Sequence, residues 1–140
     1  MAVDQAYSDS FLSSKGQLSV PQGYMSAILD TASVNIGAGD QWEALSIPAG
    51  TLVTEVGLLI MTAEGATMTI DVGSEDPDGF LDGVNGNVES AVYNSLEDGS
   101  AALAGGQYFP TADTIDVKFV NAADTAKVMI FCRYVESKDL

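Results

Sequence analysis

Residues 51–83 read TLVTEVGLLIMTAEGATMTIDVGSEDPDGFLDG and contain two strand patterns joined by a short glycine-containing segment. Met68, Ile70 and Val72 alternate with polar residues, a period of two that buries one face of a strand and leaves the other in solvent. The apolar run 52–61 comes before them, and Gly65 lies in the connection. A β-hairpin is the simplest interpretation of this arrangement.

Short strand patterns continue on both sides of this stretch. They fall at residues 24–36, 41–47, 88–93, 101–103, 114–119 and 125–135, and the last two are predicted to form a second hairpin. No segment has the three-and-four apolar spacing of a substantial helix. We therefore predict an all-β protein, an antiparallel β-sandwich of jelly-roll type with about seven or eight short strands.

The chain has 140 residues and a mass of 14.6 kDa, which suits one compact domain. We assign residues 21–140 to this domain and residues 1–20, which are polar and show no period, to an extended N-terminal arm. Tyr7, Phe11 and Leu12 are the apolar side chains that the arm could insert into grooves of a partner. The arm lacks the basic start and apolar centre of a secretion signal.

The charge balance excludes several classes of partner. Twenty acidic residues against five basic ones give a net charge of −15, which repels nucleic acid and anionic membrane surfaces. Glu55 and Glu64 interrupt the most apolar segment, so no run approaches the roughly 18 residues of a membrane helix. A protein without nucleic-acid or membrane partners is the expectation.

Catalytic residues are scarce. The chain contains no histidine, which removes the commonest general base and metal ligand. Its single cysteine, Cys132, lies in the apolar run VMIFCRYV and is expected to be a buried, inert thiol. We predict that the protein is not an enzyme and uses no cofactor.

The acidic loop GSEDPDGFLDG is the one segment that could hold a cation. Asp76, Asp78 and Asp82 are weak candidates for calcium ligands, with Glu75 beside them. The spacing does not fit an EF-hand, and Pro77-Asp78-Gly79 is a turn signal in its own right. The alternative is a solvated turn, pinned to the core by Phe80 and Leu81, with no metal.

Three segments in order resemble small structural proteins of tailed bacteriophages, the virion or capsid decoration (cement) proteins. They are PAGTLVTEVGLLIMTAEGATMTIDVG, DPDGFLDG and ALAGGQYFPTADTIDVKFVNAADTAKVMIFCRYV, within about residues 45–135. The resemblance implies a β-rich module, often a trimer, that binds the outside of an icosahedral shell and has no catalytic residues. The implied partner is the major capsid protein, and the implied location is the outer surface of the virion, after synthesis in the host cytoplasm.

On this interpretation the protein stabilises the head by bridging major capsid protein subunits. Aromatic residues are enriched at interface hot spots, so we expect the contacts to involve aromatic side chains. The candidate interface residues are Tyr7, Phe11, Leu12, Trp42, Phe80, Tyr108 and Phe109. Two alternatives remain open: a head-fibre or tail-associated module for host attachment, and a calcium-dependent carbohydrate-binding module.

Overall fold

The computed structural model describes residues 22–95 and 106–136, which form nine β-strands. No helix that could span a membrane occurs in these two ranges. The strands are β1 (Gln22–Asp30), β2 (Gln41–Ile47), β3 (Thr51–Thr62), β4 (Thr69–Gly73), β5 (Leu81–Asn85), β6 (Ala91–Ser95), β7 (Gln107–Phe109), β8 (Asp113–Phe119) and β9 (Lys127–Glu136).

The strands form two antiparallel sheets. Sheet 1 has the order β1-β9-β3-β6, and sheet 2 has the order β2-β8-β4-β5. The ninth strand, β7, also pairs with β3: it faces residues 51–53, whereas β6 faces residues 55–59. β6 and β7 therefore lie end to end along one edge of β3 and together occupy the fourth strand position of sheet 1.

The chain passes from one sheet to the other at almost every connection, which is the winding of a jelly roll. The prediction of an antiparallel β-sandwich of jelly-roll type is confirmed. The strand count exceeds the prediction because β5 and β7 are not among the predicted strands. The predicted strand at 101–103 and the predicted arm lie outside the described residues.

Both predicted hairpins are wrong. β3 belongs to sheet 1 and β4 to sheet 2, and β8 and β9 are divided in the same way. Stacked sheets lie about 10 Å apart, a gap that residues 63–68 or 120–126 can span. Period-two alternation only requires one buried face, and it is the same whether the next strand lies alongside or across the core.

The predicted strand 24–36 ends early, at Asp30. The backbone N–H groups of Ser33 and Val34 both donate to the Asp30 carbonyl, at 3.1 and 3.3 Å, which turns the chain. The Asp30 carboxylate also accepts from the Ala32 N–H at 3.0 Å. Of the remaining apolar positions, Ile36 keeps only an isolated bridge to Ala123.

The core lies between the sheets and is made of aliphatic side chains with Phe80, Phe109 and Phe119 among them. Cys132 belongs to this core with no exposed surface. Burial raises the pKa of its thiol to about 11. A buried thiol with this pKa is a poor nucleophile, in agreement with the expectation from the sequence.

A buried carboxylate ties two of the crossing connections together. Glu64 is 5% exposed, and its Oε2 accepts the backbone N–H of Thr125 at 3.0 Å and that of Ala126 at 2.8 Å. Asn87 donates to the Glu64 carbonyl at 2.8 Å and accepts the Met68 N–H at 2.9 Å. The connection 63–68 is therefore fixed by polar contacts to distant parts of the chain.

Candidate functional site

The acidic loop connects β4 to β5 and is tightly folded. Gly79 N–H donates to the Asp76 carbonyl at 3.0 Å, and Phe80 N–H donates to the Val72 carbonyl at 2.9 Å. A Cβ atom on Gly73 would lie 1.8 Å from the Asp76 carbonyl oxygen. Only glycine therefore allows this close return of the loop onto the end of β4.

The carboxylates of this loop repel each other. A side-chain hydrogen bond with Asp78, together with the Asp78 charge, raises the pKa of Asp76, and Asp82 adds a smaller effect. Within residues 22–95 and 106–136, no three acidic or cysteine side chains converge as a metal ion would need. Asp76, Asp78 and Asp82 thus lie on one exposed turn, and calcium binding there stays a prediction from the sequence.

A cleft of about 560 Å³ separates the acidic loop from the segment 107–113. Ser74 Oγ donates to Asp113 Oδ2 at 3.1 Å across it. Tyr108 and Pro110 line one side, and Glu75 and Asp76 line the other. The cleft combines aromatic surface with acid at one end of the sandwich.

The structure places the four described interface candidates in three environments. Tyr7, Phe11 and Leu12 lie outside the described residues. Phe80 and Phe109 are 5% and 4% exposed in the core, so their rings pack the sandwich. Trp42 is half-buried against the core, and Tyr108 is 37% exposed beside the cleft. Among the described candidates, Tyr108 has the largest exposed fraction.

Three of the exposed large apolar side chains among the described residues, Tyr24, Ile28 and Tyr93, lie on the outward surface of sheet 1. Cross-strand register sets its outward side chains in three rows, which together define the sheet-1 face. The rows are Ile28–Met129–Leu59–Ala91, Ser26–Phe131–Gly57–Tyr93 and Tyr24–Arg133–Glu55–Ser95. This face was not predicted from the sequence because the two predicted hairpins gave β3 and β9 the wrong neighbouring strands.

Two contacts between neighbouring strands fix side chains on the sheet-1 face, one made by Phe131 and one by Arg133. The Phe131 ring covers Gly57, where an added Cβ would lie 2.1 Å from the ring, so the glycine gives the aromatic ring its place in the middle of the sheet. Arg133 donates from Nε and Nη2 to the Tyr24 hydroxyl at 3.1 and 2.6 Å and lies 5.3 Å from the Tyr24 ring centroid. Tyr93 is 58% exposed.

The outward surface of sheet 2 has a different chemistry. Glu43 faces Asp116 across one strand pair, and Asp71 faces Lys118 across another. Partial burial and the charges of Glu43 and Asp113 raise the pKa of Asp116. These residues, with Gln41, Ser46 and Thr114, define the sheet-2 face. It is polar and acidic where the sheet-1 face is largely apolar.

No protein-family model matches the chain, and neither does any curated protein. Solved structures do match it, and several come from bacteriophage capsids. A chain of the acidic stable capsid of Helicobacter pylori bacteriophage KHP30 aligns with a TM-score of 0.59 and 16% identity, covering 81% of this chain and 86% of that one.

Two further capsid structures agree with this match. A chain of the capsid of Ralstonia phage GP4 gives a TM-score of 0.58 at 18% identity and covers 86% of each chain. A chain of the cyanophage Pam1 capsid asymmetric unit gives 0.57 at 15% identity, covering 84% of this chain and 85% of that one. At these identities the similarity establishes a shared fold.

Proposed function

We propose that this protein is a structural component of a bacteriophage virion that decorates the outside of the head. In this role it binds the assembled shell and stabilises it by bridging major capsid protein subunits. The single observation that carries the proposal is the fold, which is shared over more than four-fifths of both chains with three chains from phage capsids.

The match in length supports an accessory module. Each comparison covers nearly equal shares of the two chains, so the capsid chains are similar in size to this one. A jelly roll of this size has two sheet faces and two loop ends available for contacts with neighbours. Binding would come from many modest contacts repeated by the symmetry of the shell.

The charge of the chain supports a location outside the shell. A net charge of −15 disfavours contact with packaged DNA and keeps a protein made in many copies soluble. An exterior position separates these acids from the genome. Assembly as a homotrimer around symmetry axes of the shell is part of the same proposal and follows from the family resemblance.

The acid-lined cleft and the arm supply further contacts in this proposal. Tyr108 lies at the rim of the cleft, where its ring can pack on a neighbouring subunit and its hydroxyl can stay hydrated. Residues 1–20, with Tyr7, Phe11 and Leu12, extend the reach of the protein across an adjacent capsid subunit.

The test is co-sedimentation of purified protein with undecorated, expanded shells of the phage that encodes it. The full chain is compared with a chain lacking residues 1–20. Saturable binding at a fixed ratio to the capsid protein is expected, with weaker binding after truncation. Absence of binding by both forms would contradict decoration and favour a fibre-associated module.

A further inference from the structure

We propose that the sheet-1 face is the surface that docks on the capsid exterior, and that the sheet-2 face points away into solvent. This inference rests on the proposed function and adds the orientation of the bound molecule. The partner it requires is a flat protein surface with an apolar centre and a polar margin.

The first argument is the exposure of apolar side chains on the sheet-1 face. Tyr24, Ile28 and Tyr93 are 62%, 52% and 58% exposed. Leu59, Met129 and Phe131 are partly exposed and lie in the first two rows, so each of the four strands contributes at least one apolar side chain to the face. A contiguous apolar patch on a soluble protein marks an interaction site, whereas scattered exposed residues need no explanation.

The second argument is charge. Within the sheet-1 face, Glu55 faces Arg133, so one acid meets one base, and the adjacent row pairs Asp30 with Lys127. The sheet-2 face has Glu43, Asp71 and Asp116 against Lys118 alone. In a chain of net charge −15, the face with balanced charges is the one that can approach another protein with the least repulsion.

The third argument is the fixed position of Arg133. Two hydrogen bonds to the Tyr24 hydroxyl hold the guanidinium at the end of the face. A guanidinium fixed in this way loses little freedom when a partner covers the face. The third row therefore provides a polar, oriented contact at the margin of the apolar centre, the arrangement found in protein interfaces.

The size of the face decides between a capsid and a second copy of this chain. Four strands at about 4.8 Å and three rows at about 7 Å give roughly 400 Å². A stable pair of proteins buries about 800 Å² on each partner, twice this area. An interface made only by this face would be smaller than that of most stable pairs, which favours a partner that offers further contacts. On a shell, the arm and the loop ends contribute further contacts to the same binding event.

A matched pair of substitutions tests the orientation. Ser26→Glu places a carboxylate in the middle row of the sheet-1 face, and Ser46→Glu makes the same change on the sheet-2 face. Both serines are exposed, and each lies on the edge strand of its sheet. The double variant Ile28→Ser with Tyr93→Ser removes exposed apolar surface without adding charge. Thermal unfolding of each variant verifies that the fold is retained.

Binding to undecorated shells is measured by titration and co-sedimentation for all four proteins. Ser26→Glu and the double variant are expected to weaken binding by about tenfold or more, and Ser46→Glu by no more than about twofold. If Ser46→Glu loses binding and Ser26→Glu does not, the orientation is reversed and the inference fails. If all variants bind like the natural chain, neither face docks, and the proposed function survives without the inference.

Two remaining outcomes are also decisive. If the natural chain does not bind shells, the proposed function and the inference both fail. Sedimentation equilibrium of the natural chain and Ser26→Glu identifies the other occupant: if the substitution dissociates an oligomer that the natural chain forms, the sheet-1 face joins copies of this chain, and docking on the capsid is refuted.

Discussion

Replacing Glu64 is predicted to destabilise the sandwich more than replacing other glutamates of this chain. The Glu64 carboxylate is 5% exposed and accepts the N–H groups of Thr125 and Ala126, which belong to the connection between β8 and β9. Glu64 itself lies in the connection between β3 and β4. One side chain therefore joins two crossings between the sheets.

The magnitude follows from what Glu64→Ala leaves behind. The buried Ala126 N–H loses its acceptor, at a cost of about 1–3 kcal/mol. The Thr125 N–H can bond to water instead, so losing its hydrogen bond to the carboxylate costs about 1 kcal/mol. The sum is about 3 kcal/mol of unfolding free energy. Glu64→Gln retains an oxygen acceptor and is expected to cost about 1 kcal/mol.

Urea unfolding at neutral pH measures these differences, with exposed Glu89→Ala as the control. The control is expected to remain within about 0.5 kcal/mol of the natural chain. The urea concentration at the unfolding midpoint should be lowest for Glu64→Ala, higher for Glu64→Gln and highest for the Glu89→Ala control. The dependence of the unfolding free energy on urea should stay the same. A Glu64→Ala variant as stable as the control would refute the reasoning, because the buried N–H would then have found another partner.

Three further predictions concern single residues. Gly73→Ala is expected to lower the unfolding free energy by about 2–4 kcal/mol, because its Cβ would meet the Asp76 carbonyl, whereas Gly65→Ala, with open space around it, should change it little; equal effects would contradict the close approach. Asp116 has a raised folded pKa, so its contribution to stability is greatest below the ordinary value of 3.8 and is lost as the pH rises through the folded value. Asp116→Asn should therefore gain thermal stability relative to the natural chain as the pH rises above 3.8, and a pH-independent difference would contradict this. The Cys132 thiol should react with a thiol reagent only in denaturant, and rapid labelling of the native protein would contradict its burial.

The sequence was sufficient for the strands whose burial alternates. β2 was predicted at residues 41–47, and the structure places it at Gln41–Ile47; β3, β8 and β9 agree within two residues. β2 and β8 alternate in burial, whereas β3 and β9 are apolar runs in the sequence, and both patterns are typical of strands. β5 was missed because Asp82 and Gly83 interrupt its period, and β7 was missed because it has only three residues.

The apolar pattern of the sequence could not predict which strands pair, and the sheet-1 face depends on that pairing. Alternation of apolar residues gives the face of a strand but not its neighbour, so β3 and β4 were assigned to one hairpin although they lie in opposite sheets. The sheet-1 face needs β1, β9, β3 and β6 side by side, from four distant parts of the chain. The structural role of Glu64 was not predicted for the same reason, because the two N–H groups that its carboxylate accepts are 61 and 62 residues away.

The central claim is that the chain decorates the outside of a phage head, and cryo-electron microscopy of shells with and without added protein tests it most directly. We expect density for the sandwich at regular positions on the outer surface, with sheet 1 towards the shell. Shells that keep a bare outer surface at saturating protein, or density confined to one vertex or the tail, would contradict the account.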